Sequence, residues 1–196
     1  MKTCSKCKEN IDLSNFCNNK AQKDGLNSEC RQCSQDRKNN FYKTKEGVAE
    51  RIYNSQKLKS KRRGHIPPEY TKSELMTWLF KEPTFHILYD EWVASGYEKK
   101  LKPSIDRKND YIHYRFNNIQ VMTWDQNSKK NYADRKSGKN NKKNKAVLQY
   151  TRKNVFIKEY HSGREAERQT GATHIPEALN GKYTHSGGFI WKHKEQ

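Results

Sequence analysis

Four cysteines place the first constraint on this chain. Cys4-x2-Cys7 and Cys30-x2-Cys33 are two knuckles separated by 22 residues, in a stretch with few large apolar side chains. So small and polar a segment has little hydrophobic surface with which to hold itself together. Thiolates at this spacing can wrap one zinc ion tetrahedrally, so a structural Zn²⁺ bound by Cys4, Cys7, Cys30 and Cys33 is expected. Such a site has no open coordination position and serves structure, not chemistry. The alternative is free or disulfide-paired cysteines. The paired form requires an oxidising compartment, which nothing in the sequence indicates. Cys17 has no knuckle partner and reads as an ordinary thiol.

The remainder is just as poor in apolar residues. Of 196 residues only 32% are hydrophobic, which favours several small units over one large core. Lys and Arg number 40 against 22 Asp and Glu, a net charge of +18, and this excess calls for a polyanionic partner, nucleic acid first. The aromatic share of 11% is too high for a merely disordered basic tail. No apolar run approaches the roughly 18 residues of a membrane helix. The start, "MKTCSKCKEN", lacks the apolar region of a secretory signal, so no membrane association and a cytoplasmic location (host cytoplasm for a phage-encoded protein) are expected.

Local patterns predict an α+β chain. A helix should follow Lys45 and stop at Gly64. Thr71-Lys72-Ser73-Glu74 is a capping box that opens another, and Phe85, Leu88, Tyr89 and Trp92 form one face of a third, with Gly96 as its stop. "KPSIDRK" and "NIQVMTW" read as short strands, with a helix starting directly after Thr123. Lys129 to Lys145 carries eight Lys and Arg against one Asp and reads as a solvated, flexible basic linker. "AVLQYTRKNVFIKEY" reads as a hairpin. Ser162-Gly163-Arg164-Glu165 is a further capping box, and Thr173 should cap a second helix through Ile175 and Leu179, which gives helix-turn-helix spacing closed by "GGFIWKH".

The stretch "PSIDRKNDYIHYRFNNIQVMTWDQNSKK" resembles the ββα-metal core of HNH (His-Me finger) homing endonucleases of phage and intron type. The cysteine region resembles the zinc module that often precedes such enzymes, and 145–193 resembles the NUMOD-type helix-turn-helix module attached to them. The resemblance implies a zinc-binding module over 1–44, a helical region and nuclease core over 45–132 (core 102–132), a basic linker over 133–145 and a DNA-binding module over 146–196. It further implies hydrolysis of phosphodiester bonds in duplex DNA, by nicking or double-strand cutting, with one Mg²⁺ or Mn²⁺ held by Asp106 and Asn127. Asn118 would fix the loop geometry, and Ser104, Ile105 and Tyr114 would be framework.

The sequence departs from many members of that family at one position. Arg107 stands where a general-base histidine follows the metal-binding aspartate, and arginine stays protonated at any working pH. Arg107 could instead clamp a phosphate. His113 is the nearest histidine in sequence and a candidate base; otherwise the ion itself must activate the water. His86 reads as structural, and Tyr111 and Tyr114 are candidate phosphate ligands. Expected DNA contacts are Arg62, Arg63, Lys139, Lys142, Lys143, Arg164, Arg168 and Lys182 on phosphates, with His174 and Glu177 reaching base edges. A monomer is expected. The competing readings are a non-catalytic zinc and helix-turn-helix DNA-binding protein and, less favoured, an RNA-binding zinc protein.

Overall fold

The computed structural model describes residues 1–195, and the chain divides into two units, Met1–Asp125 and the stretch from Gln126 onward. Among the described residues the fold is α+β, with seven α-helices and nine short strands; the strands form three two-stranded sheets and one of three strands.

The first unit begins with two small antiparallel pairs, β1 (Lys2–Thr3) with β2 (Asn10–Ile11) and β3 (Phe16–Asn18) with β4 (Leu26–Cys30). Helix α1 (Arg31–Phe41) follows at once. Only Cys4, Phe16 and Cys30 are buried here, with Ile11, Leu26 and Cys33 packed around them. One phenylalanine is a small core for forty residues, as the composition implied.

Helix α2 (Lys45–Arg62) is capped by Thr44, whose hydroxyl accepts from the Gly47 N–H at 3.1 Å. Gly47 is required there, since a Cβ would sit 1.9 Å from the Phe41 carbonyl oxygen. Gly64, at φ +65°, ends the helix at the expected place. Helix α3 (Lys72–Leu79) opens with the complete capping box: the Glu74 N–H donates to Thr71 Oγ1 at 3.2 Å and the Thr71 N–H to Glu74 Oε2 at 2.7 Å. Pro83 takes the first turn of α4 (Pro83–Ala94), and Gly96 at φ +71° follows its end.

Leu75, Leu79, Phe85 and Trp92 from these helices meet Val48 and Ala49 of α2 in the main core. Each fully buried large side chain contributes about 2 kcal/mol. The other wall is a hairpin, β5 (Pro103–Arg107) antiparallel to β6 (Ile119–Thr123), with Ile105 opposite Val121 and Asp106 opposite Gln120. Its Ile105 and Ile119 enter the same core, which fixes the hairpin's register and orientation.

Helix α5 (Trp124–Lys136) starts directly after Thr123. It corrects the reading of a flexible linker from Lys129, because residues 129–136 are helical. Lys130 and Asp134 pair at 2.7 Å across one turn, and Arg135 and Lys136 sit at the C-terminal, negative end of the helix dipole. The stretch after it turns back: the Asn140 N–H donates to the Asp134 carbonyl at 2.9 Å and Asn144 Nδ2 to the Arg135 carbonyl at 3.4 Å.

In the second unit, β7 (Val147–Tyr150) lies between β8 (Phe156–Tyr160) and β9 (Ile190–His193), both antiparallel to it. Helices α6 (Gly163–Thr170) and α7 (Ile175–Leu179) bury Ala166 and Ile175 against Val147, Tyr160 and Trp191. Two local expectations need correction. Ser162 caps α6 by accepting from the Glu165 N–H at 3.2 Å, but the Glu165 carboxylate does not complete the box and instead bonds Arg168 and Gln169. Thr173 does not cap α7; the cap position falls on His174, in left-handed backbone at φ +62°, while the Thr173 carbonyl accepts from the Ser186 hydroxyl. Pro176 fixes the start of this short helix and removes one of the N–H groups a Thr173 cap would serve.

Candidate metal and nucleic-acid sites

The four knuckle cysteines meet. Their Sγ atoms all lie within 4.8 Å of one another, a cluster that could hold a metal ion, with Cys4 and Cys30 buried, Cys33 half-buried and Cys7 exposed. Backbone N–H groups point at the sulfurs: Lys6 and Cys30 donate to Cys4 Sγ at 3.4 and 3.3 Å, and Cys33 donates to Cys30 Sγ at 3.4 Å. Lys8 adopts a left-handed φ of 65° and closes the first knuckle by donating to the Cys4 carbonyl at 3.0 Å. Cys30 is also the N-cap of α1.

The thiols differ in acidity for local reasons. The Cys30 N–H holds the Cys4 thiol down at about 6, overcoming burial. Hydrogen bonding with Cys30 and then burial push Cys33 up to about 12. One sulfur is thus readily ionised while its neighbour resists a second negative charge, a conflict that a divalent cation relieves. Cys17 lies on β3, outside the cluster.

The hairpin and its loop carry Asp106, Arg107, His113 and Asn118. Asp106 is 9% exposed, and its Oδ2 accepts from Gln120 Nε2 at 3.0 Å, straight across the two strands. Arg107 is 4% exposed. It donates from Nη2 to Asp110 Oδ1 at 2.9 Å and from Nη1 to the Ile112 carbonyl at 3.0 Å, with its guanidinium 5.1 Å above the Tyr114 ring. Asn118 ties the loop from inside: Oδ1 accepts from the Asn109 N–H at 2.9 Å, while Nδ2 reaches the Asn109 and His113 carbonyls at 3.1 Å each. Asn127 is the fourth residue of α5. Tyr111 is exposed and Tyr114 buried.

Three partners had no signal in the sequence. The ring of His113 bonds Glu69 through Nε2. His65, half-buried just beyond Gly64, has Nδ1 3.3 Å from Arg107 Nη1. A guanidinium only donates, so His65 Nδ1 is the acceptor at this contact. Gln120, bonded to Asp106, could have been found only by pairing the strands in register. His86 bridges Lys45 Nζ and the Phe80 carbonyl at 2.9 and 3.1 Å and serves structure.

The basic residues fall in separate places. Arg62 ends α2 and Arg63 follows it, both exposed. In the second unit a cavity of about 510 Å³ is lined by Arg135, Lys136, Lys143, Lys145, Arg164 and Arg168, with no carboxylate residue in its wall. Arg168 is tied to Glu165 and to the Lys136 carbonyl. Lys139 and Lys142 lie in the turn after α5. His174 and Glu177 pair with each other at 3.5 Å, and Lys182 rests over the Tyr183 ring. Among the described residues no helix is long and apolar enough to cross a membrane.

Compared with protein-family models, curated proteins and solved structures, the chain matches none.

Proposed function

We propose that this chain is a metal-dependent DNA endonuclease of HNH type, stapled by zinc at its N-terminal cysteines. The hairpin carries the reading. A carboxylate nine-tenths buried at the end of a strand is bonded across to Gln120, the loop beyond it is held by Asn118, and the second strand runs straight into the helix that bears Asn127. Asp106 and Asn127 offer oxygen donors, the ligands that Mg²⁺ or Mn²⁺ prefers. Such an ion would neutralise charge on the phosphate and the departing 3′ oxygen.

The remaining work falls to the protein. Arg107, the residue after Asp106 in β5, holds the loop through Asp110 and Ile112. His113 is the proposed base, because the Glu69 carboxylate bonds Nε2 and orients its ring, as an acidic partner does for a catalytic histidine. At the cysteines, four tetrahedral thiolates at about 2.3 Å from zinc stand about 3.8 Å apart, inside the 4.8 Å limit of the cluster. The charge of +18 and the carboxylate-free cavity of the second unit support duplex DNA as substrate.

A second reading, a zinc-stapled DNA-binding protein without catalysis, draws support from the ties of Arg107 and His113 to their own loop and to Glu69. Incubation with Mg²⁺ and the DNA flanking its own gene separates the two. The nuclease reading expects strand scission that disappears in Asp106→Ala and falls at least tenfold in Asn127→Ala. Tight binding with no scission under Mg²⁺ or Mn²⁺ leaves the second reading standing.

A further inference from the structure

A groove of about 330 Å³ in the first unit, between α2 and the approach to β5, is lined by Arg51, Gln56 and Lys59 on the helix and by Lys99, Lys102 and Trp124 opposite. Arg51 and Lys59 are eight residues apart, two turns along one face of α2. Lys99 and Lys102 flank the short turn before β5. No carboxylate residue lines the groove, and among the described residues none of its four cations has an acidic partner. Three lie over aromatic faces: Lys99 over Trp124 at 4.7 Å, Lys102 over Trp92 at 5.4 Å and Arg51 over Tyr42 at 5.5 Å. These contacts position the cations without neutralising them.

The crowding has a visible electrostatic effect. Burial, and then the Arg51 guanidinium, bring Lys102 down to about 8. Loss of water, and then the Arg63 and Arg107 guanidiniums, hold Lys59 below the ordinary lysine value. Gln56 is 3% exposed; its Oε1 accepts from the Tyr70 hydroxyl at 3.1 Å, and its Nε2 has no hydrogen-bond partner. Four uncompensated cations and an unpartnered amide around one concavity form a destabilising arrangement unless an anion completes it.

We propose that this groove seats the phosphodiester backbone of a nucleic-acid strand. The proposal rests on the reading of a polynucleotide partner, not on cleavage. It also gives the contact a place relative to the hairpin: β5 leads from Lys102 to Asp106 in four residues, about 13 Å of extended chain. That distance is about four nucleotides along a duplex strand.

The test is fluorescence anisotropy with a labelled duplex over a salt series, with no Mg²⁺ added. Lys59→Gln with Lys102→Gln should weaken binding about tenfold and flatten the log–log salt dependence by about 1–2. Lys20→Gln with Lys23→Gln removes the same charge from an exposed turn and should cost less than about threefold. Lys59→Arg with Lys102→Arg should keep the wild-type affinity, and thermal melting of each variant confirms that the fold is intact. A groove variant that binds and responds to salt like the turn variant overturns the proposal. Inorganic pyrophosphate, titrated by calorimetry, tests a free-phosphate source: tight binding lost in the groove variant while duplex binding persists would assign the groove to a small ligand and likewise overturn it. A wild-type protein that binds no duplex at all rejects the polynucleotide reading itself, which a silent groove variant alone does not.

Discussion

Replacing Lys102 by methionine should stabilise the protein, and the gain should depend on pH. Lys102 is half-buried, and its ammonium titrates at about 8 instead of 10.5 because burial, and then Arg51, disfavour the charged form. At 1.36 kcal/mol per pH unit, that fall corresponds to about 3.4 kcal/mol of penalty, which solvent around a half-buried side chain reduces to about 1–2 kcal/mol. The direction follows from linkage. A base whose folded value is depressed binds fewer protons folded than unfolded, so the penalty is fully present below about pH 8 and fades between about 8 and 10.5 as the unfolded chain also loses its proton. Methionine keeps an apolar stem of similar shape and removes the charge. Near pH 7 the variant should therefore melt about 3–6 °C above the wild type, and by about pH 10.5 the two should converge. Melting followed by circular dichroism at the two pH values reads the difference directly. Any packing gain from the thioether is independent of pH and appears equally at both. Equal gaps at both values, or a wild type that is the more stable near pH 7, refute the account of Lys102 as an uncompensated buried cation.

Other expectations follow from the same structure. The protein should carry one zinc per chain by elemental analysis, and its knuckle thiols should react with a thiol reagent only after a strong chelator is added; Cys30→Ala, which removes a ligand and the cap of α1 together, should lose the metal and the order of residues 1–41 in amide exchange. Asn118→Ala removes three side-chain bonds of 2.9–3.1 Å in the hairpin loop and should cost about 2–4 kcal/mol in urea unfolding; a cost below about 1 kcal/mol would mean that the loop holds without it. His113→Ala should lower the cleavage rate about 10²–10⁴-fold, with His65→Ala milder; the reverse order would move the base to His65.

What could be read from the sequence was set by neighbours close along the chain. The Thr71 capping box, the stops at Gly64 and Gly96 and the apolar face of Phe85, Tyr89 and Trp92 depend on residues within a turn or two, and each appears where its pattern predicted. The cysteines were legible because ligand spacing is itself local within each knuckle. Where the reading failed, a distant or opposing force prevailed. Composition alone marked 129–136 as solvated linker, yet one i,i+4 ion pair and favourable charges at the helix end extend α5 to Lys136. Thr173 looked like a cap, but its carbonyl is engaged by Ser186, thirteen residues on, and Pro176 sets the helix start.

The same limit explains the surroundings of the hairpin. Asp106, Arg107 and Asn118 stand in one recognisable stretch and find most of their partners within it, but two further groups, His65 and Glu69, come from a segment that no motif marks. His65 reaches Arg107 across 42 positions and Glu69 reaches His113 across 44, while Arg51 and Lys59 face the approach to β5. This segment is held by its own constraints: Gly64 at φ +65° turns the chain, the His65 N–H donates to the Ser60 carbonyl at 3.0 Å, and the Glu69 N–H bonds the Tyr114 carbonyl at 3.0 Å. Pro67 and Pro68 stiffen the stretch between them. A hairpin of two five-residue strands is at best marginally stable alone. Its side chains hold a fixed geometry because Ile105 and Ile119 anchor it in the main core while the end of α2 and the proline turn brace the loop. The scaffold of the candidate site is therefore α2 with its following turn as much as the ββα stretch, and changes there should alter its chemistry without touching a residue of the motif.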